Sequence, residues 1–311
     1  MELYSTRAVF ASGFLLFSYT LQVMRRVIAV HFLLIATVFS PGAGAYASGA
    51  VSITVFPASI IQGEPMLITV ESLDVPVSVK SITFGGVPLR VFTYRARPAA
   101  LVGMDLNKKP GVYEISVLLS DGRTIKTETT VGERKKIEAP FGIPKKLGGN
   151  TQASQDALIS TLAAENKNLA NLRTGAKTFW KENFVEPLKE IFVTDTYGYV
   201  RTTGPYSITH KGVDFRAEEG TPVLSVNRGV VRVARTYRNY GKTVVVDHGL
   251  GLMSFYMHLS KIKVNVGELV GVGQVVGLSG QTGYAGKPHL HLSVHIGGVS
   301  INPLKFFELF K

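Results

Sequence analysis

The segment Pro288-His289-Leu290-His291-Leu292-Ser293-Val294-His295-Ile296 alternates without a break. Leu290, Leu292, Val294 and Ile296 fall on one face; His289, His291, Ser293 and His295 fall on the other. Successive side chains of a strand point to opposite faces, so this is a half-buried strand with an apolar core side. Thr, Lys or Glu would ordinarily fill the open side. Three imidazoles there point to chemistry instead, and His289 and His291 are close enough to serve one site. His295 lies further along and reads as a rim or substrate contact. The strand therefore predicts a C-terminal antiparallel β domain with a groove on its polar face.

Two upstream segments address the same groove. His210-Lys211-Gly212-Val213-Asp214 sets an imidazole and a carboxylate four residues apart. In a regular strand they would stand roughly 13 Å apart, at about 3.3 Å per residue. That is too far to share a zinc ion, whose ligand atoms lie about 2.0 to 2.2 Å from the metal. Gly212 permits a bend that would bring them together. Ser254-Phe255-Tyr256-Met257-His258-Leu259-Ser260 also alternates, with Tyr256 and His258 on its polar face, so His258 is expected to point into the groove. His248, in Asp247-His248-Gly249-Leu250-Gly251, sits in a predicted hairpin turn and reads as structural. The chain has no cysteine, so any metal site must be built from His and carboxylates.

Together these segments resemble the LytM and lysostaphin-type zinc peptidases, whose marks are His-x-x-x-Asp, a later His-Leu-Ser and a terminal His-x-His. They stand here as His210 to Asp214, His258-Leu259-Ser260 and His289-Leu290-His291. Gly220-Thr221-Pro222-Val223, Val246-Asp247-His248-Gly249, Gly280-Gln281-Thr282-Gly283 and Asn302-Pro303 extend the resemblance over roughly residues 185 to 306. It implies one Zn2+ per chain held by His210, Asp214 and His291, with His289 and His258 catalytic and unmetallated. Thr196-Tyr197-Gly198-Tyr199-Val200-Arg201 resembles the family's aromatic-Gly-x-Arg approach to the first ligand, which makes Arg201 a substrate-contact candidate beside Tyr206 and His295. The implied substrate is the peptide stem of peptidoglycan, and the implied reaction is hydrolysis of its cross-links. The echo between Gly220 to Val230 and Gly267 to Gly277 agrees with a duplicated β motif. Carrier domains share that glycine-valine pattern but need a lysine in a hairpin context that Lys242 lacks.

Working outward, 311 residues suffice for more than one domain. Residues 48–132 read as short strands separated by Gly63, Gly85-Gly86, Pro110-Gly111 and Asp121-Gly122, which predicts an immunoglobulin-like β-sandwich serving contacts with membrane or cell-wall proteins. Residues 133–184 form a linker. It opens with the basic run Arg134-Lys135-Lys136, expected to be solvated, and contains an amphipathic helix over Ser154 to Leu172 with Leu158, Leu162, Leu169 and Leu172 at helical spacing. Residues 185–311 complete a mainly β chain as the peptidase domain. Residues 1–47 read as an export signal with an extension: Arg25-Arg26, the apolar run Val27 to Phe39 and Ala45-Tyr46-Ala47 predict cleavage after Ala47 and a periplasmic or envelope location. An uncleaved segment would serve as a membrane anchor, and Met24 is an alternative start.

The formal charge of +12 favours an anionic partner. Its basic residues are scattered and no recognition motif accompanies them, so nucleic acid is not the expected one. Two rival functions remain, a catalytically dead LytM-like regulator of an amidase and a purely adhesive wall protein. Zinc content and chelator-sensitive hydrolysis separate them from an enzyme.

Overall fold

Nine strands fill residues 51–132: β1 (Val51–Phe56), β2 (Ser59–Ile61), β3 (Pro65–Ser72), β4 (Val79–Phe84), β5 (Val87–Pro88), β6 (Val91–Tyr94), β7 (Arg97–Gly103), β8 (Gly111–Leu119) and β9 (Thr124–Gly132). They make two sheets, in the orders β1-β3-β7-β6 and β2-β9-β8-β4-β5. The alternation of β3 explains how the sheets pack. Met66, Ile68 and Val70 enter one core with Ile82, Phe84, Ile115, Val117 and Leu119 of the second sheet, whereas Leu67 and Ala99 point away into the core of the C-terminal part. Phe92 and Tyr94 extend that contact, packing against Trp180 and Phe310. The computed structural model describes residues 50–72, 76–181 and 183–311, so the expected export segment and its cleavage point lie outside the described residues.

The segment expected to be a linker is more structured than its composition suggests. Strand β10 (Glu138–Pro140) adds parallel to β12 (Val200–Thr203), which pairs in turn with β13 (Tyr206–Thr209). Arg134, in the run expected to be solvated, is tucked against Glu64 at 3.4 Å and over the Tyr197 ring. Helix α1 runs over Gln152–Ala170 behind a Thr151 cap, whose side chain accepts the Ser154 N–H. It buries Leu158 and Leu169.

The main C-terminal sheet is antiparallel. Its order is β11 (Val193–Asp195), β14 (Val213–Arg216), β22 (His289–Ile296), β18 (Leu252–Leu259), β17 (Gly241–Gly249), β16 (Gly229–Tyr237) and β20 (Leu269–Val270), with β23 (Val299–Ile301) on the far end of β22. A smaller sheet joins β15 (Pro222–Leu224), β21 (Val275–Leu278) and β19 (Lys261–Ile262). The two glycine-valine units that echo each other in sequence pair directly: Pro222 lies opposite Leu278, and Gly229 opposite Val270. Short helix α2 (Pro303–Glu308) buries Phe306 and Phe307 beneath the sheet. Leu290, Leu292, Val294 and Ile296 face that core, which leaves the histidines of β22 for the opposite face.

Candidate metal centre

Register places the first two groups. Antiparallel pairing sets Asp214 of β14 directly opposite His291 of β22, so both side chains stand on the groove face. His210 enters from the connection between β13 and β14. Its N–H donates to Tyr199 O at 2.7 Å and its carbonyl accepts from Gly198 N at 2.8 Å, which pins the backbone. The result is a tight triangle. His210 Nε2 lies 3.1 Å from Asp214 Oδ1 and 3.0 Å from His291 Nδ1, and His291 Nδ1 lies 2.7 Å from Asp214 Oδ1. Gly212 matters less as a bend than as an empty space: a Cβ there would sit 2.4 Å from His291 Nε2 and 2.6 Å from Leu292 O.

The hydrogen-bond partners behind each ring decide which nitrogen faces the centre. His210 Nδ1 meets the Thr196 carbonyl at 2.9 Å; a carbonyl only accepts, so Nδ1 carries the proton and Nε2 presents a lone pair. Ser293 Oγ donates to Lys211 O at 2.6 Å and must therefore accept from His291 Nε2 at 3.0 Å, which leaves His291 Nδ1 as the lone pair. Arg201 Nη2 donates to Asp214 Oδ2 at 2.8 Å and turns Oδ1 toward the two rings. Three acceptors thus crowd one point with no proton between them. A divalent cation resolves that repulsion, and two imidazoles with one carboxylate are a donor set that suits zinc with one position left open. Burial pushes His291 down to about 4, so at neutral pH it is the uncharged ring that ligation requires.

His258 and His289 lie beside this triangle. Their ring centroids are 4.9 Å apart, and His289 Nε2 is 3.8 Å from Asp214 Oδ1. His258 Nδ1 donates to Thr282 O and His289 Nδ1 to Lys287 O, so each turns an acceptor Nε2 outward. Burial, reinforced by the neighbouring His289 and His291, holds His258 well below the usual imidazole range. His258 reaches the groove by a route that alternation did not predict. Tyr256 is fully buried on the opposite, core face, where its hydroxyl meets Val226 N and Ser254 Oγ. Continued alternation would send His258 there too, but β18 carries two residues opposite one between its pairings of Tyr256 with Val244 and Leu259 with Lys242, and His258 has a positive φ of 62°. This bulge turns the ring to the groove.

The three substrate-contact candidates already have partners within the fold. Arg201 is engaged by Asp195 and Asp214 and lies over the Phe141 ring, so it positions the ligand carboxylate. The Tyr206 phenol donates to Asp156 of α1 at 2.6 Å. His295 borders the groove with its ring packed 4.2 Å from that of Phe255. His248 is buried between Arg228 O and Ser254 Oγ and is structural in the described fold. Sequence reasoning missed Thr196 and Ser293 as orienting groups, although Ser293 shares the histidine face of β22. Arg201, His210, His258, His291, Ser293 and His295 line a cavity of about 830 Å³, of which helix α1 forms another wall.

Comparison with known proteins gives this geometry a context. Residues 208–303, which contain the triangle and both further histidines, match the profile of Peptidase family M23. The chain is 44% identical over 96 residues to the peptidoglycan DD-endopeptidase ShyA of Vibrio cholerae, covering 31% of this chain and 22% of that one. It is 42% identical over 124 residues to the glycyl-glycine endopeptidase ALE-1 of Staphylococcus capitis, covering 36% and 33%. The chain thus spans about a fifth to a third of the length of the curated relatives it matches. A solved M23-type structure from Pseudomonas aeruginosa superposes with a TM-score of 0.58 at 26% identity, covering 80% of this chain and 96% of that one.

Proposed function

Because the chain carries a domain of peptidase family M23, the LytM and lysostaphin family, we propose that it is a zinc-dependent endopeptidase that hydrolyses peptide cross-links of bacterial peptidoglycan. One observation carries the catalytic part of this reading: three lone-pair donors converge on one point with two unligated acceptor imidazoles alongside. His210 Nε2, Asp214 Oδ1 and His291 Nδ1 would hold the ion. Bound zinc would supply Lewis acidity and a water made acidic enough to attack at neutral pH.

The protein's own groups divide the remaining work. His289 is the more exposed of the two outer histidines, and its Nε2 accepts a proton from the attacking water and returns it to the leaving amine. His258 Nε2, also an acceptor, stands beside His289 as a second base that can take that proton in its place. Thr196, Ser293 and Arg201 keep the ligand atoms aimed, and an inactive regulator has no need of orienting groups behind every ligand.

The N-terminal part supports a separate role. Its sheet orders, with β1-β3-β7-β6 facing β2-β9-β8-β4-β5, agree with an immunoglobulin-type sandwich. We read it as a contact module, and the export signal over residues 1–47 as placing the chain in the cell envelope. The test is digestion of purified peptidoglycan by the full chain, with and without a chelator, followed by mass identification of the released ends. Chelator-sensitive release of free amino ends at the cross-links is the expected result. A chain that holds zinc and releases nothing even with α1 displaced from the groove would instead be a regulator. ShyA and ALE-1 are named for different bonds, so the digestion includes both directly cross-linked and glycine-bridged peptidoglycan.

A further inference from the structure

Helix α1 is held over the groove by buried polar groups as well as by Leu158 and Leu169, each of which joins a small apolar cluster. Ser154, Gln155 and Glu165 make up three of its five buried residues, and the two apolar ones, Leu158 and Leu169, stand about three turns apart. Between them Leu162, Ala163 and Asn166 border the cavity without filling it.

The central attachment is a carboxylate. Glu165 is 8% exposed, and its carboxylate accepts the N–H of Arg238 at 2.7 Å, of Asn239 at 3.0 and 3.2 Å, and of Tyr240 at 3.3 Å. Three successive amides aimed at one point form an anion-binding nest. They belong to the turn between β16 and β17, where such groups are ordinarily left to water. The same turn supports the site, since Tyr240 O accepts the His258 N–H at 3.0 Å. The phenols of this wall are occupied by α1 as well: Tyr206 donates to Asp156, Tyr237 to Asn168 and Tyr240 to Asn166.

We propose that the N–H trio of Arg238, Asn239 and Tyr240 is a carboxylate-binding subsite of the groove, that Glu165 is its intramolecular occupant, and that α1 and a peptide bearing a free carboxylate exclude one another. The resting chain is therefore plugged by its own helix. This rests on the groove being a peptide site, as proposed above.

The test uses full-length wild type, Glu165→Ala and Glu165→Gln. The probe is an acetylated tetra-alanine peptide, as the free acid and as the C-terminal amide. Affinity is read by calorimetry, and the seating of α1 by hydrogen exchange over residues 152–170. Glu165→Ala is expected to bind the acid at least ten-fold more tightly than either wild type binds it or the variant binds the amide, with faster exchange in α1. Glu165→Gln, which keeps an acceptor but loses the charge, should fall between the two and serves alone if the alanine variant does not fold. Equal binding of acid and amide, affinity no tighter than wild type, or unchanged protection of α1 would overturn the proposal. The readout is binding, so failure of wild type and Glu165→Ala alike to digest peptidoglycan would sink the enzymatic reading alone, whereas digestion without any acid preference would sink this subsite alone.

Discussion

Replacing Ser293 by alanine tests how the site orients its metal without touching a ligand. The hydroxyl bridges His291 Nε2, 3.0 Å away, and Lys211 O, 2.6 Å away, and both Ser293 and His291 are buried. Alanine leaves the Nε2–H without an acceptor, a penalty of about 1–3 kcal/mol for a buried donor. Lys211 O keeps a longer partner in Ser300 Oγ at 3.2 Å, so the backbone there is not orphaned. The ring can escape the penalty by moving its proton to Nδ1 or rotating, and either escape removes the lone pair from the metal position. Zinc affinity should therefore fall about 10- to 100-fold, the usual cost of losing such a partner. Titration against a fluorescent zinc chelator measures it, with Ser293→Thr as the variant that keeps the hydroxyl and should stay within a few-fold of wild type. An alanine variant that binds zinc as wild type does would refute the orientation argument.

Two further outcomes follow from the geometry. Gly212→Ala puts a Cβ against the His291 ring and Leu292 O, so it should weaken zinc binding at least about ten-fold, to the level of losing an orienting partner; unchanged zinc affinity would show that His291 does not need its observed position. His248 is pushed from 6.5 down to about 4 by burial, so the unfolded chain binds the extra proton between those values and stability falls as pH drops through that window. The shift is worth about 3 kcal/mol, lost between about pH 6.5 and 4, and a His248→Gln variant should lack that part of the slope in urea unfolding at pH 5 and 7. An identical slope in the variant would assign the effect to other groups.

The alternation of residues 288–296 was enough to predict the histidine face of β22, because a strand with one buried side leaves little freedom in register. The gathering of His210 with Asp214 was not readable from spacing, since a strand would have held them apart and only the β13–β14 turn brings them together. His258 shows the reverse case. Its segment alternates well, yet the bulge and the left-handed residue that turn the ring outward have no glycine to announce them. Arg201 reads from sequence only as a substrate-contact candidate, because a single strand cannot reveal that Asp195 and Asp214 face it. Helix α1 could be predicted from its leucines, but its place across the groove depends on Glu165 meeting a turn more than seventy residues away. Long-range polar pairings of that kind leave no local periodicity to read.

The most direct measurement is the zinc content of purified wild type, His291→Ala and His289→Ala, by elemental analysis at equal protein concentration. The account predicts one zinc per chain in wild type and in His289→Ala, and almost none in His291→Ala. Equal zinc in the two variants would contradict it, since the separation of ligands from proton-transfer groups would then be lost.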